Sequence, residues 1–330
     1  MKEILKYAAE AYGFKEETIR FISESTNKIY SFERENKQYI LRITQKPIES
    51  IAYTKAEIEW LYYLAQKGVS VSLPLHTLQN ELVTSMIGED GHNYIISAYK
   101  KAEGVFWKKG DPVLWNTDVF YSWGSVMGEI HKLSKEFIPS DPKCKRDEFQ
   151  GNFALDDNYK LHPDVKQKAD EIIHEIMQLP RDENSYGLIH NDFHPWNFYI
   201  DGKSIRVFDF DDCLYAWFAM DIGIALYHGL WWGRPSKAEA AQEFSKVFIK
   251  SFLKGYTANN HLDSFWFTKI PLFMRYRQLC KFSWFFNPND IDEEQKKRIY
   301  NIKNGILFDN CNPDPSYFII NNSSSNLIVV

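Results

Sequence analysis

Apolar residues recur at helical spacing in the first dozen positions, at Ile4, Leu5, Ala8, Ala9 and Tyr12, and Gly13 then ends the pattern. The period shortens to alternation over residues 18–23, 28–33 and 38–44, which predicts three strands. Glu24-Ser25-Thr26-Asn27 links the first two, and the polar turn Arg34-Glu35-Asn36-Lys37 links the second and third. Helical spacing returns over 52–66, where Ile58, Leu61 and Leu64 form a stripe widened by Trp60 and stopped by Gly68. Residues 69–75 read as an extended segment marked by Pro74. Residues 82–87 and 93–99 read as a hairpin around Gly88-Glu89-Asp90-Gly91. After the polar run Lys100-Lys101-Ala102-Glu103-Gly104 helices dominate, over 116–136, 165–179, 222–232, 237–256, 265–286 and 292–307. Residues 138–162 are rich in loop signals. A second hairpin, 198–200 with 205–208 about the turn Asp201-Gly202, interrupts the helices. Residues 309–330 form an Asn/Ser-rich tail, expected to be partly disordered or packed on the surface. Strands first and helices afterwards predict an α+β chain. Its small antiparallel-sheet lobe, with one helix, spans 1–98. Its larger, mainly helical lobe spans 99–330, with the hinge near 97–104.

Composition narrows the class. At 330 residues the chain exceeds what one core usually serves, in keeping with two lobes. A net charge of −5 and the lack of a basic stripe give no reason to expect a nucleic-acid partner. Cys144, Cys213, Cys280 and Cys311 are widely spaced, which suggests neither a zinc ribbon nor a disulfide framework. The N-terminus carries charges at Lys2, Glu3 and Lys6 and lacks the apolar core of a signal peptide, and no apolar run approaches the ~20 residues of a membrane helix. The expectation is a cytoplasmic protein, without a membrane partner, acting as a monomer or homodimer.

The densest chemistry lies in residues 189–212, I-H-N-D-F-H-P-W-N-F-Y-I-D-G-K-S-I-R-V-F-D-F-D-D. An H-x-D-x-x-x-x-N loop, a hairpin and an aspartate are the working parts of a kinase-like phosphoryl-transfer site. Asp192 has the place of the base for an acceptor hydroxyl. Asn197 and Asp209 flank the hairpin, which would bring them together as hard oxygen ligands for Mg²⁺. His190 is expected to scaffold the loop, while Pro195 and Trp196 stiffen it. Asp211 could assist the metal or face substrate, and Asp212 could face substrate. Upstream, Arg42 in Y-I-L-R-I could grip the nucleotide phosphates, or be a surface arginine. Glu57 could pair with it, with Glu59 as an alternative. Thr26 and Asn27 would lie over the phosphates, and Ser97 and Tyr99 at a hinge that meets adenine. Two rival readings exist. His190, Asp192 and His194 alternate and could form a metallohydrolase cluster with Asp209, His131 or His228. A nucleotide-binding pseudokinase would keep the architecture without turnover.

These motifs resemble the aminoglycoside phosphotransferase and choline kinase group, including type II homoserine kinases. I-H-K-L at 130–133, A-M-D-I-G-I-A around Asp221, F-L-K-G-Y at 252–256 and Y-I-L-R at 39–42 extend the likeness over roughly residues 18–285. The chain departs from the group in carrying arginine at 42 and in having no glycine in the phosphate loop. The resemblance implies a two-lobed protein-kinase-like fold. It also implies transfer of the γ-phosphate of ATP, with Mg²⁺, to a hydroxyl of a small molecule such as an amino sugar, an amino alcohol like choline, or a homoserine-like compound. Asp221 would be structural and start a helix. The later helices would wall the acceptor, with Trp217, Trp231, Trp232 and Trp284 as candidate lining, and Asp212 or Asp157 adding charge.

Overall fold

The computed structural model describes residues 1–151, 162–285, 293–308, 315–318, 320–321 and 328–329. In chain order the elements are α1 (Lys2–Tyr12), β1 (Arg20–Glu24), β2 (Lys28–Arg34), β3 (Lys37–Gln45), α2 (Ser50–Gln66), β4 (Thr84–Ile87), β5 (Asn93–Lys100), α3 (Thr117–Ser134), α4 (Pro163–Met177), β6 (Tyr186–Ile189), β7 (Phe198–Asp201), β8 (Ser204–Val207), β9 (Leu214–Trp217), α5 (Phe218–Gly233), α6 (Ala238–Asn259), α7 (Ser264–Phe285) and α8 (Glu293–Phe308). They divide into two units. One comprises 1–105, 136–146 and 198–213; the other comprises 106–135, 147–197 and 214–330.

The first unit is built on a five-stranded sheet in the order β1-β2-β3-β5-β4. Alternation along β2, β3 and β5 puts Phe32, Leu41, Ile43 and Ile96 on one face, where Ile4, Ala8 and Tyr12 of α1 cover them. The first strand begins later than the alternation suggests. Glu16–Thr18 form a 3₁₀ turn, held by the Thr18 hydroxyl donating to Lys15 O at 2.7 Å, and β1 starts at Arg20. In α2 the stripe of Ile58, Trp60, Leu61 and Leu64 is buried, and so is Glu57, a carboxylate that must find a partner there. The β7–β8 hairpin closes on Asp201 opposite Ser204, with Gly202 at φ 61°, a left-handed turn position that favours glycine. Ser72 N donates to Val207 O and Val207 N to Ser70 O, so the 69–75 segment runs beside β8.

The second unit is mainly helical. Asn116 caps α3, accepting from Asp118 N and Val119 N. Helices α3 and α6 meet backbone to backbone. A Cβ on Gly124 would stand 1.9 Å from Phe252 O, and one on Gly255 would stand 2.0 Å from Tyr121 O. Only glycine permits that approach. Almost every residue of α5 is buried, and Pro271 lies inside α7. Strands β6 and β9, which periodicity does not reveal, pair antiparallel from Tyr186 opposite Trp217 to Ile189 opposite Leu214. In the C-terminal stretch Tyr317 and Phe318 are buried, and Ile320–Asn321 pairs with Ile328–Val329. No helix among the described residues is long and apolar enough to cross a membrane. Cys144, Cys213 and Cys280 are free thiols, and burial pushes Cys213 up to about 12.

Candidate active site

The loop after β6 is fixed from beneath. Its turn needs Asn191 at φ 66°, a left-handed conformation that asparagine tolerates better than most residues. The Asp221 carboxylate accepts from His190 N at 3.0 Å and from Asn191 N at 2.9 Å, holding the strained peptide. Helix α5 begins at Phe218, not at 222, so Asp221 sits inside its first turn, where the helix dipole favours a carboxylate. A buried chain of hydrogen bonds supports Asp221 in turn. His131 Nε2 lies 3.1 Å from its Oδ2, Tyr256 Oη lies 3.0 Å from His131 Nδ1, and Asn260 Nδ2 donates to Tyr256 Oη at 2.8 Å. A carboxylate can only accept, so His131 carries its proton on Nε2 and accepts from Tyr256. Burial lowers the His131 pKa, which agrees with a neutral ring. His131 is thus a supporting histidine.

Above this floor, Asp192 is held by three groups. Arg277 Nη2 donates to Oδ1. Asn197 Nδ2 donates to Oδ2 at 3.0 Å, and His194 Nε2 stands 3.3 Å from the same oxygen. Trp196 N donates to His194 Nδ1, which leaves Nε2 of that ring to bear the proton pointing at Asp192. Burial would raise the Asp192 carboxyl. The Arg277 guanidinium, helped by His194 and His190, outweighs it and holds the group well below the usual carboxylate range. The Asn197 side chain donates from Nδ2 to both Asp192 O and Oδ2, so its Oδ1 is the atom suited to a hard cation. Asn197 leads directly into β7. Asp209 follows two residues after β8; it is exposed and adopts φ 65°.

The alternation of His190, Asp192 and His194 does not survive folding. Strand β6 ends at Ile189 and the chain turns at Asn191, so the three do not share a strand face. His190 Nδ1 accepts from Asp192 N at 3.3 Å while its ring stacks on Phe193. No group of three or more His, Cys, Asp or Glu suited to a metal occurs among the described residues. The metallohydrolase reading finds no support in this geometry.

In the first unit Arg42 is buried and forms a two-pronged ion pair with Glu57, at 2.9 Å and 2.7 Å. Glu59 instead accepts from Ser140 N. Burial alone would lower the Arg42 pKa; Glu57, Tyr99 and Asp211 keep it well above the ordinary value. Arg42 Nε is buried with no partner among the described residues. Asp211 belongs to this cluster. It lies 3.8 Å from Arg42 and 3.7 Å from Lys46, and accepts from Asn27 Nδ2 at 3.0 Å. These charges lower its pKa despite burial. Asn27, expected over the phosphates, spends its amide on Asp211 and on Thr44, which donates to Oδ1 at 2.6 Å; Thr26 is exposed.

Ser97 and Tyr99 are not hinge residues. Strand β5 continues to Lys100, with Ser97 opposite Arg42 and Tyr99 opposite Ile40. On the other side Leu75 N donates to Ala98 O and Lys100 N to Leu73 O. Tyr99 shares a 3.0 Å hydrogen bond with Ser97 and lies under the Arg42 guanidinium, 5.4 Å from ring centroid to charge. Both residues buttress Arg42, and the backbone past the ladder starts at Ala102.

Beside the loop after β6, in the second unit, aromatic rings gather. Trp196, 45% exposed, lies 5.4 Å from Phe106 and 5.5 Å from Trp107, and Trp232 stacks on His228 at 4.6 Å. Trp231 is partly exposed against Tyr227. Trp217 is fully buried, its Nε1 donating to Pro180 O, so it is core and not pocket lining. Asp212 is exposed. The Trp284 side chain and Asp157 lie outside the described residues.

Four cations have no motif to announce them. Lys46 and Arg146 serve the first unit; buried Arg146 donates to Cys213 O and Asp211 O and lies 3.4 Å above the Tyr53 ring. Arg277 and Lys281 serve the second. Burial, with Arg277 nearby, lowers Lys281 to about 8. The available signal for this pair is a charged residue inside the apolar run of α7, where burial demands pairing.

Residues 18–256 match the phosphotransferase enzyme family APH. The chain is 36% identical over 312 residues to the amicoumacin kinase of Bacillus subtilis (strain 168), covering 92% of this chain and 91% of that one. Among solved structures it is similar to the amicoumacin kinase hAmiN in complex with AMP-PNP, Ca²⁺ and Ami. That match has 30% identity and a TM-score of 0.85, and covers 95% of this chain and 96% of the other. A microcompartment-associated aminopropanol kinase shares the fold at 20% identity, with a TM-score of 0.72 over 92% and 95% of the two chains. With its protein-kinase-like α+β fold, the chain belongs to the APH phosphotransferase family and is a small-molecule kinase.

Proposed function

We propose that this kinase moves the γ-phosphoryl group of ATP, with Mg²⁺, to a hydroxyl of an amicoumacin-like acceptor. The observation that carries the chemistry is the triply held Asp192 next to an Asn197 amide whose oxygen suits a cation. The acceptor is inferred from the likeness over 92% of the chain to an amicoumacin kinase.

The acceptor oxygen forms a bond to the γ-phosphorus, the bond from that phosphorus to the β–γ bridging oxygen breaks, and ADP leaves. The hydroxyl proton passes toward Asp192. A carboxylate held well below its usual range is a weak base, which favours orientation over early proton removal. That suits a loose transition state, in which the nucleophile has little bonding to make. Asn197 and Asp209 would hold the metal, which when bound neutralises charge on the phosphates. Arg42, braced by Glu57 and Tyr99, would meet phosphate oxygens. Its Nε–H, without a partner among the described residues, supports this, because an unmet buried donor costs ~1–3 kcal/mol. Adenine would meet backbone beyond β5, and the Trp196–Phe106–Trp107 surface would take a flat part of the acceptor.

The test is turnover of a panel of amicoumacin, an aminoglycoside, choline, aminopropanol and homoserine with Mg-ATP, read as gain of one phosphoryl group by mass spectrometry. Transfer to amicoumacin is expected. Transfer only to another member would overturn the acceptor, and no ATP-dependent transfer to any member would favour a nucleotide-binding pseudokinase.

A further inference from the structure

Arg277 is buried on α7 and ties together distant parts of the chain. It is 85 residues from Asp192 and 49 from His228, and it bonds both. Its Nη2 donates to Asp192 Oδ1, and its Nε donates to His228 Nε2 at 2.8 Å. Guanidinium nitrogens only donate, so His228 must accept with Nε2 and carry its own proton on Nδ1. The ring is therefore neutral, in keeping with its complete burial. His228 is held in turn between Trp232, stacked at 4.6 Å, and His194 at 5.0 Å. A chain of oriented groups runs from α5 through α7 to the carboxylate.

The arrangement is poorly explained by stability alone. Replacing a buried ion pair with apolar residues of similar volume is commonly neutral or stabilising, so such a pair is weak evidence for a stabilising role. Much of the rest of α7 is apolar, with Ile270, Phe273 and Leu279 fully buried. The pair does have a geometric effect. A carboxylate offers about four lone-pair directions. Arg277, Asn197 and His194 take three of them on Asp192 and leave about one for an incoming hydroxyl.

We propose that Arg277, oriented by His228, is a positioning residue that aims the Asp192 carboxylate at the acceptor hydroxyl. The inference rests on the assignment of Asp192 as the group that receives that hydroxyl. Positioning acts on the transition state, so its loss lowers kcat and leaves nucleotide binding alone. A misplacement of about 1 Å near the chemistry costs on the order of 100-fold.

The experiment uses the full chain, ATP and amicoumacin (or the panel member that turns over), with variants R277M, R277A, H228L, H228Q and D192N. R277M is expected to lose roughly 100-fold in kcat, with the KM for ATP unchanged. Added guanidinium ion should restore part of the R277A activity. H228Q keeps an acceptor for Arg277 Nε and should recover most of the kcat that H228L loses. Because Arg277 remains in place in the two His228 variants, their comparison decides the matter even if R277M fails to fold. The proposal is overturned if R277M retains its kcat while D192N is inactive. It is also overturned if H228Q and H228L fall equally, or if the variants raise the KM for ATP in step with the loss of kcat. An active D192N would instead remove the Asp192 assignment on which the inference stands.

Discussion

Glu57→Gln tests whether the grip on Arg42 is a buried pair or a surface decoration. Exposed ion pairs contribute about 0–1 kcal/mol. Removing one partner of a buried pair costs about 3–5 kcal/mol, because the other charge stays in a poorly solvated place. The structure chooses between these regimes. The side chains of Arg42 and Glu57 are 6% and 1% exposed, and both guanidinium prongs are used. Asp211, at 3.8 Å from Arg42, and the Tyr99 ring would recover part of the loss. The expected cost is thus near the lower bound, about 3 kcal/mol. With a urea m-value of about 3 kcal/mol/M, the unfolding midpoint of the first unit should drop by about 1 M. The assay is urea unfolding followed by fluorescence, on wild type, E57Q, R42M and the double variant R42M/E57L. The double variant should be less destabilised than the sum of the single losses, since it leaves no lone charge. A midpoint shift below about 0.2 M for E57Q would place the pair in the exposed regime instead.

Other consequences are direct. Gly124→Ala puts a methyl group 1.9 Å from Phe252 O, and forcing α3 from α6 should cost at least about 1–3 kcal/mol in thermal or urea unfolding. His131 and His228 are buried with pKa values lowered from the ordinary 6.5, so below that pH the unfolded chain binds more protons than the folded one. Stability should therefore fall as pH drops below that value, by up to about 1.4 kcal/mol for each histidine between about pH 7.5 and 5.5. H131Q should flatten the slope of melting temperature against pH. Trp196→Ala removes an exposed ring from the aromatic surface and should raise the acceptor KM several-fold while sparing the KM for ATP. Equal effects on both constants would argue against that surface as acceptor lining.

What is legible from sequence is what is local or carries a sharp motif. Helical stripes locate α2, α3 and α6 because one face of each is buried. The Arg42–Glu57 pair is readable because a strand cation and a helix carboxylate are parts of a known phosphate grip. The partners of Asp192 are not readable. Arg277 is distant in sequence, and nothing local distinguishes it from the neighbouring Arg275. Strands β6 and β9 are four residues each and pair across a long separation, which leaves no periodicity to find. Ser97 and Tyr99 belong to the ladder and not to a hinge, because nothing in the sequence shows how far a ladder runs before it frees the backbone. Asp211 neighbours Asp209, which suggests a role at the metal or acceptor, yet its carboxylate turns to Arg42, Lys46 and Asn27.

Asp192 as the receiver of the acceptor hydroxyl is the assignment on which the proposed mechanism turns. Its most direct measurement is transfer of labelled phosphoryl from γ-labelled ATP to amicoumacin by wild type and D192N, with nucleotide binding checked separately by thermal shift. Retained nucleotide binding and a loss of roughly 10²–10⁴-fold in kcat are expected. A D192N enzyme that transfers phosphoryl within about threefold of wild type, far outside that range, would contradict the assignment.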